Sequence, residues 1–379
     1  MSSSTASAPA INSFEIGRDH RTAVEEASLL PTRCYTDEAF YQKEVERVFM
    51  RSWLPVGRED QLAKPGDYFT LNLFDEPVLL LKDRANQIRA FSNVCRHRAM
   101  QIAKGSGNAP AFTCPYHSWT YNLDGTLRGA RFMDKTQNFV RSECRLPEFK
   151  IESWHGFLFL NFDRNAEPLG PQLRGLESVV APLKLESRKT YEYRSRECDW
   201  NWKASLENFS EAYHHIGIHA KTAEPYWPCE KARYEDSDGP YSVFWMPTFN
   251  DRPIDGITVP AGLPERYATS TMVINIYPFF HCFVDPSMFL WLQFDVRGAQ
   301  RHTLKWNLLP HPELSEAPTI EETLTHYRQA VDAIIDEDMS ACVGIRNGQR
   351  SRFYDPGRMS WMEKAVFQMH NYLLSKLAD

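Results

Sequence analysis

No stretch of this 379-residue chain reaches the roughly 18 uninterrupted apolar residues that would carry a helix across a bilayer, because Asp, Arg or Pro breaks every candidate. No basic segment precedes an apolar run in MSSSTASAPAINSFEIG, so no secretory leader is expected. Ser, Ala and Pro there read as a mobile tail over residues 1–35, and the protein as cytoplasmic with no membrane partner. Positive charge is not in excess. Lys and Arg number 43 against 49 Asp and Glu, a formal net charge of −6, which offers no field for a phosphate backbone and argues against nucleic acid. Glycine-rich fingerprints for NADH or flavin are missing as well, so any electrons the protein uses must come from another one. Cysteine is scarce and scattered: the eight, at 34, 95, 114, 144, 198, 229, 282 and 342, suit no disulfide framework, and only those with histidines close by are candidates to ligate a metal.

What is present is a globular composition. Hydrophobic residues at 42% and charged residues at 24% exclude a disordered or coiled-coil chain, and at about 150 residues per domain the length suits two or three packed units. TDEAFYQKEVERVFMR (36–51) predicts a helix, with Thr36 as cap, Asp37 and Glu38 in its first turn, and Phe40, Val45, Val48 and Phe49 at helical spacing. Residues 36–55 are expected to pack on the second domain. Residues 56–165 hold short β-rich runs (DYFTLNLF, PVLLLKD, IRAFSNV, AFTCPY, WTYNLDGTLRG, FLFLNF), with Asp124-Gly125 as a hairpin turn, which describes a small all-β domain. DRNAEPLGPQLRG (163–175) shows no period and carries two prolines, marking a seam. From 166 to 379 the pattern mixes: a strand at 191–198, a helix at 200–215, three strands within 270–309 and a long helix from 319 to about 347. The fold class is therefore α+β, the second domain pairing an antiparallel sheet with helices.

Two constellations carry chemistry. CRHR (95–98) and CPYH (114–117) each supply one thiol and one imidazole just after a predicted strand, so two loop tips can pinch one inorganic centre between Cys95, His97, Cys114 and His117. Structural zinc takes two Cys and two His, but usually at a spacing longer than the C-x-H step here. A [2Fe-2S] cluster with Cys on one iron and His on the other uses the same donors and carries an electron.

CRHRAM together with CPYHSWTYNLDGTL resembles the Rieske motif of the oxygenase α-subunits, flanking aromatics included. The resemblance implies a [2Fe-2S] cluster on those four residues. Arg96 and Arg98 are either solvated loop charges or part of a docking surface for an acidic electron donor.

The second constellation lies in WNWKASLENFSEAYHHIGIHA (200–220). On a helix Glu211 and His214 share a face, and His219 converges on them only if the helix bends or ends near Gly217. A two-His-one-carboxylate iron site needs an acid. In the long helix the apolar stripe Leu324, Tyr327, Val331, Ile334 steps next onto Asp338, before Ala341 and Ile345, whereas Asp332, Asp336 and Glu337 fall off it and read as solvated. Asn208, one turn earlier, either hydrogen-bonds within the site or caps local backbone.

NWKASLENFSEAYHHIGIH resembles the catalytic helix of the same oxygenases, and EDMSACVGIRNGQRS their carboxylate segment; residues 36 to 372 fit the family plan. The resemblance implies a mononuclear Fe(II) on His214, His219 and Asp338, with a small-molecule substrate and O2, a separate reductase or ferredoxin as donor, and a homotrimer. It also implies that electrons pass from His117 of one copy through Glu211 of its neighbour to His214. Glu211 stands where many members have Asp, which resembles subgroups acting as an α-subunit alone, and His215 leaves a swap with His214 open. The expected activity is hydroxylation of an arene or oxidative demethylation of a methylated amine. Aromatics of 225–231, 277–283 and 288–294 are candidate pocket walls. The runner-up is a non-enzymatic Rieske electron carrier or a zinc-stabilised binding protein.

Overall fold

The structure, a computed structural model, describes residues 23–254 and 257–378, so most of the expected tail lies outside the described residues. The part that is described is not a tail. Val24, Ala27, Leu30, Cys34 and Tyr35 are buried against Met359, Val366 and Leu374, because their apolar side chains find a partner face near the C-terminus.

The first predicted helix is shorter than expected. Helix α1 spans Glu38–Arg47 and is capped by Asp37, whose carboxylate accepts from the Ala39 amide at 2.8 Å, while the Thr36 hydroxyl turns back to Thr32 O. A 3-10 turn follows at Phe49–Arg51. Tyr41, Glu44 and Val48 form its buried face, and Glu44 is ion-paired at 2.7 Å with a Lys203 that is itself fully buried.

Next comes the all-β unit: Leu54–Arg58 (β1), Asp67–Leu73 (β2), Glu76–Lys82 (β3), Ile88–Ser92 (β4), Ser106–Asn108 (β5), Phe112–Thr113 (β6), Thr120–Tyr121 (β7), Leu127–Gly129 (β8), Glu148–Trp154 (β9) and Phe157–Asn161 (β10). One sheet runs β1-β10-β9-β4-β3-β2-β5 and a small one β6-β7-β8. Strand β1 escapes sequence reading because Pro55 and Gly57 look like breakers; as an edge strand with a bulge between them it tolerates both. Gly125 does sit in the turn between β7 and β8, with φ at +83°, and a Cβ there would meet the Phe91 ring at 2.6 Å.

The expected loop at 163–175 is partly helical. Leu169, Leu173 and Leu176 step by four and three, so short turns at Leu169–Gln172 and Arg174–Leu176 bury all three, a period the prolines mask. The second sheet then runs β11-β17-β16-β15-β14-β13-β12, all antiparallel, over Tyr191–Cys198 (β11), Arg233–Tyr234 (β12), Tyr241–Pro247 (β13), Ser270–Ile276 (β14), Phe280–Val284 (β15), Met288–Gly298 (β16) and Arg301–Pro310 (β17). Segment 270–309 thus holds four strands where three were expected. Helix α2 (Trp202–Phe209), α3 (Ile320–Gln349) and α4 (Lys364–Ala378) cover this sheet. One core joins the two units: Val78, Leu80 and Leu158 of the first share a cluster with Trp202, Leu292 and Met339 of the second. Among the described residues, no helix is long and apolar enough to cross a membrane.

The Lys203–Glu44 pair ties α2 to α1 where neither charge reaches water. Lys203→Met strands the carboxylate and is expected to lower unfolding stability by about 3–5 kcal/mol, whereas Lys203→Met with Glu44→Leu recovers most of it; urea titration of both variants measures the difference.

Candidate metal centres

Strand β4 leads into the loop of Cys95 and His97, and β6 into that of Cys114 and His117. Each loop closes on its cysteine in the same way: Cys95 N bonds to Met100 O at 2.9 Å and Cys114 N to Trp119 O at 2.8 Å, while Ala99 and Ser118 turn with φ at +55° and +59°. The repeated turn puts both thiols inside, 3% and 2% exposed, and both imidazoles in solvent with their Nδ1 atoms 3.1 Å apart. Tyr121 braces the inner end, its hydroxyl 3.3 Å from Cys95 Sγ and accepting from Arg96 N. Trp119 stacks under His97, ring centroids 4.9 Å apart. Burial pushes the Cys114 thiol up, and the adjacent Cys95 adds to it. Two sulfurs facing the core and two ring nitrogens facing water suit a two-iron cluster with one thiolate-bound and one imidazole-bound iron.

At the other site α2 stops at Phe209, so Glu211 and His214 do not share a helix face as expected. They meet through a turn instead: Glu211 accepts from His214 N at 3.0 Å and from His214 Nδ1 at 2.6 Å. Gly217 is not the swivel the spacing suggested, since its φ of −104° is open to any residue. The reversal comes from Gly217 N and Ile218 N both bonding to His214 O. His219, 1% exposed, then brings Nε2 to 2.9 Å from Asp338 Oδ1, and His214 Nε2 lies 3.5 Å from the same oxygen. One ligand atom from each of His214, His219 and Asp338 lies within 4.8 Å of the others.

Asn208 acts within the site and not as a cap: its amide donates to Asp338 Oδ1 at 2.7 Å. His215 turns away to the Trp227 carbonyl, 3.2 Å from its Nδ1, and burial together with the His214 charge holds it down to about 4, so it stays a neutral ring beside the group. Asp338 is buried as the stripe predicted, but the stripe drifts by a residue. Ile335, Met339 and Cys342 are buried, whereas Ile334 is only half-buried and Ile345 is 41% exposed. Asp332 and Asp336 pair with Arg194 and Arg196 on β11.

Glu337 is the residue that sequence reading missed. Read as solvated, it accepts from His219 Nδ1 at 2.7 Å and from Thr222 Oγ1 at 2.5 Å. The available signal was its adjacency to Asp338: a ligand histidine needs an acceptor for its second nitrogen, and Glu211 already plays that part for His214. Electrostatics agree. Burial disfavours charge on His214, yet Glu211 and Asp338 push it up to about 10. Burial likewise opposes charge on Asp338, which the two imidazoles hold down at about 2. With neutral rings, Glu211, Glu337 and Asp338 would leave three uncompensated carboxylates, a charge that a divalent cation between the two Nε2 atoms and Asp338 would largely offset.

The family model described as the Rieske [2Fe-2S] domain matches residues 52–142, and the ring hydroxylating alpha subunit catalytic domain matches residues 183–379. The chain belongs to the Rieske ring-hydroxylating oxygenase family. It is 33% identical over 287 residues to the carnitine monooxygenase oxygenase subunit of Escherichia coli (strain K12), covering 67% of this chain and 75% of that protein. It is 28% identical to the chloroplastic choline monooxygenase of Arabidopsis thaliana, covering 93% and 83%. Benzene 1,2-dioxygenase subunit alpha of Pseudomonas putida is 35% identical but covers only 52% of this chain and 45% of its own. In three dimensions a quaternary ammonium Rieske monooxygenase superposes with a TM-score of 0.79 at 24% identity, over 91% of this chain and 95% of that one, a likeness of fold. This Rieske oxygenase is accordingly a terminal oxygenase with a [2Fe-2S] cluster and a mononuclear iron as cofactors, acting on small molecules with O2 and externally supplied electrons. A bare carrier or zinc-stabilised binder would have no use for the second buried donor set.

Cys114→Ser is expected to abolish the visible bands of the purified protein, and His219→Ala to leave them intact while the third iron per chain is lost; metal analysis beside the spectrum reads both. Glu337→Ala is expected to weaken mononuclear iron binding about 10- to 100-fold, unlike Asp332→Ala, in a chelator competition titration.

Proposed function

We propose that Cys95, His97, Cys114 and His117 ligate the cluster, that His214, His219 and Asp338 ligate the iron, and that the substrate is a small methylated quaternary amine, oxidised by hydroxylation or demethylation. The observation that carries the ligand assignment is the pairing of each inner imidazole with its own carboxylate, which leaves both Nε2 atoms turned to Asp338. The substrate class is supported by coverage: the carnitine monooxygenase subunit of Escherichia coli and the choline monooxygenase of Arabidopsis thaliana match along 75% and 83% of their length, the benzene dioxygenase along 45% of its own. Residues 56–165 are the Rieske unit and 166–379 the catalytic unit in this reading.

When bound, the iron supplies O2 activation and the cluster single electrons. The protein's own groups do the rest. Glu211 and Glu337 hold the Nδ1 protons of His214 and His219 and so fix the tautomer that presents Nε2 inward. Asn208 steadies Asp338 on the oxygen the imidazoles share. Of the aromatic segments, Phe280, Phe289 and Trp291 are plain core against Phe157, whereas Phe283 packs against Phe209 at the end of α2 and the Trp227 backbone carbonyl faces His215.

Copies of the chain assemble so that His117 of one reaches Glu211 of the next, the homotrimer of the family plan. Support comes from both surfaces: His117 is exposed, and exposed apolar residues follow Glu211 in the chain, Tyr213 at 45%, Ile216 at 56% and Ile218 at 40%. None of the eight cysteines is paired in a disulfide, which fits a reducing cytoplasm.

Reconstitution with a ferredoxin and its reductase tests the substrate class. Carnitine, γ-butyrobetaine or choline is expected to drive O2 uptake coupled to product, and benzene is not; coupling to benzene alone overturns the proposal. Glu211→Gln is expected to keep both metal centres and a reducible cluster but to slow cluster reoxidation by roughly tenfold or more when substrate and O2 meet pre-reduced enzyme in stopped flow.

A further inference from the structure

Around the Rieske cluster the chain reverses its charge. Residues 95–146 carry eight Lys and Arg against three Asp and Glu, in a protein of formal net charge −6. Half of these cations lie on one stretch, 128–141, where Arg128, Arg131, Lys135 and Arg141 are all exposed. Among the described residues no carboxylate reaches ion-pair distance of any of the four, and Asp134 is the single acid between them. In their midst Phe132 is 91% exposed and held at φ +61°, a left-handed backbone that a bulky residue rarely adopts. Val140, 45% exposed, extends the apolar patch.

The same stretch is a wall of the cluster pocket. Met133 and Phe139 pack on the core that holds Cys95 and Cys114. Phe139 meets Trp119 with ring centroids 5.6 Å apart, and Trp119 stacks on His97 at 4.9 Å with planes 11° apart. Packed aromatic rings therefore run from the basic surface to a cluster ligand.

We infer that the face of residues 128–141, with Phe132 as apolar anchor and Arg128, Arg131, Lys135 and Arg141 as rim, docks an acidic electron-transfer protein and admits the electron along Phe139, Trp119 and His97. This rests on the Rieske ligand assignment above. It separates electron entry from electron exit, since the imidazole tip at His97 and His117 is then free to face Glu211 of a neighbouring copy. In the step one electron leaves the reduced donor, which is oxidised by one unit, and arrives on the cluster, which is reduced by one; no bond or proton moves. Rim charges of this kind act chiefly on the association rate and its salt dependence, and a central aromatic on the lifetime of the complex.

The probe is reduced plant-type [2Fe-2S] ferredoxin, a strongly acidic protein, mixed with the oxidised enzyme in stopped flow over a range of salt. R131E/K135E is expected to slow cluster reduction by about tenfold or more at low salt and to flatten the salt dependence. F132A is expected to weaken binding of oxidised ferredoxin, read separately by calorimetry. Dithionite reduction, the visible spectrum and the sedimentation coefficient should stay as in wild type for both variants. Wild-type rates in R131E/K135E overturn the inference, as does a wild-type cluster that dithionite reduces and the ferredoxin does not. A loss confined to R96E/R98E places entry at the tip, and a changed oligomeric state in R131E/K135E makes the face a contact between copies; either result overturns it. Absence of the visible bands in wild type would instead refute the ligand assignment beneath it.

Discussion

Asp338 is a carboxylate 3% exposed inside a helix-on-sheet core, and much of the surrounding architecture exists to make that tenable. A lone buried anion is among the least favourable groups a protein can hold. Here one oxygen takes an amide hydrogen from Asn208 and faces two imidazole nitrogens. That arrangement dictates the path of the chain: α2 has to end at Phe209 so that the following turns can swing His214 and His219 inward, and α3 has to lie with its Asp338 face against α2. The buried Lys203–Glu44 pair and the Tyr35 and His370 contacts to Glu207 pin the far side of α2 to the N-terminal segment and α4.

The two metal centres use solvent in opposite ways. In the Rieske unit the thiols of Cys95 and Cys114 are inside and the imidazoles of His97 and His117 outside, so in the proposed assignment the softer, more negative ligands would sit in the drier half and the rings at the surface. At the other site the imidazoles are turned inward and each is fastened by a carboxylate, Glu337 lying nearer solvent than His219 and Glu211 about as covered as His214, which holds the orientation of both rings. A core shared between the units keeps the two centres in a fixed relation within one chain.

Much of this was legible in the residues. Short-range spacing gave the two cysteine–histidine loops, because each pair lies within one turn of its own strand end and no distant contact has to be foreseen. Asp338 was found because a charge on an apolar helical stripe is expensive anywhere. The same reasoning misplaced Ile334 and Ile345, since a stripe of 3.6-residue period drifts along a long helix and the packing partner sets its phase. It also missed β1 and β15, whose Pro, Gly and aromatic residues are settled by edge position and by neighbouring strands.

By itself, then, the sequence determined which side chains have the chemistry of metal ligands and how they are spaced locally, since both are properties of the chain alone. Only the tertiary structure decided how they are held. That Glu337 belongs to His219, that Asn208 belongs to Asp338, and that His215 answers to Trp227 and stays outside the ligand group are contacts between residues up to 130 positions apart. The first two are set by how α3 lies against α2 and the turns that follow it, the third by how the chain folds back between His215 and Trp227.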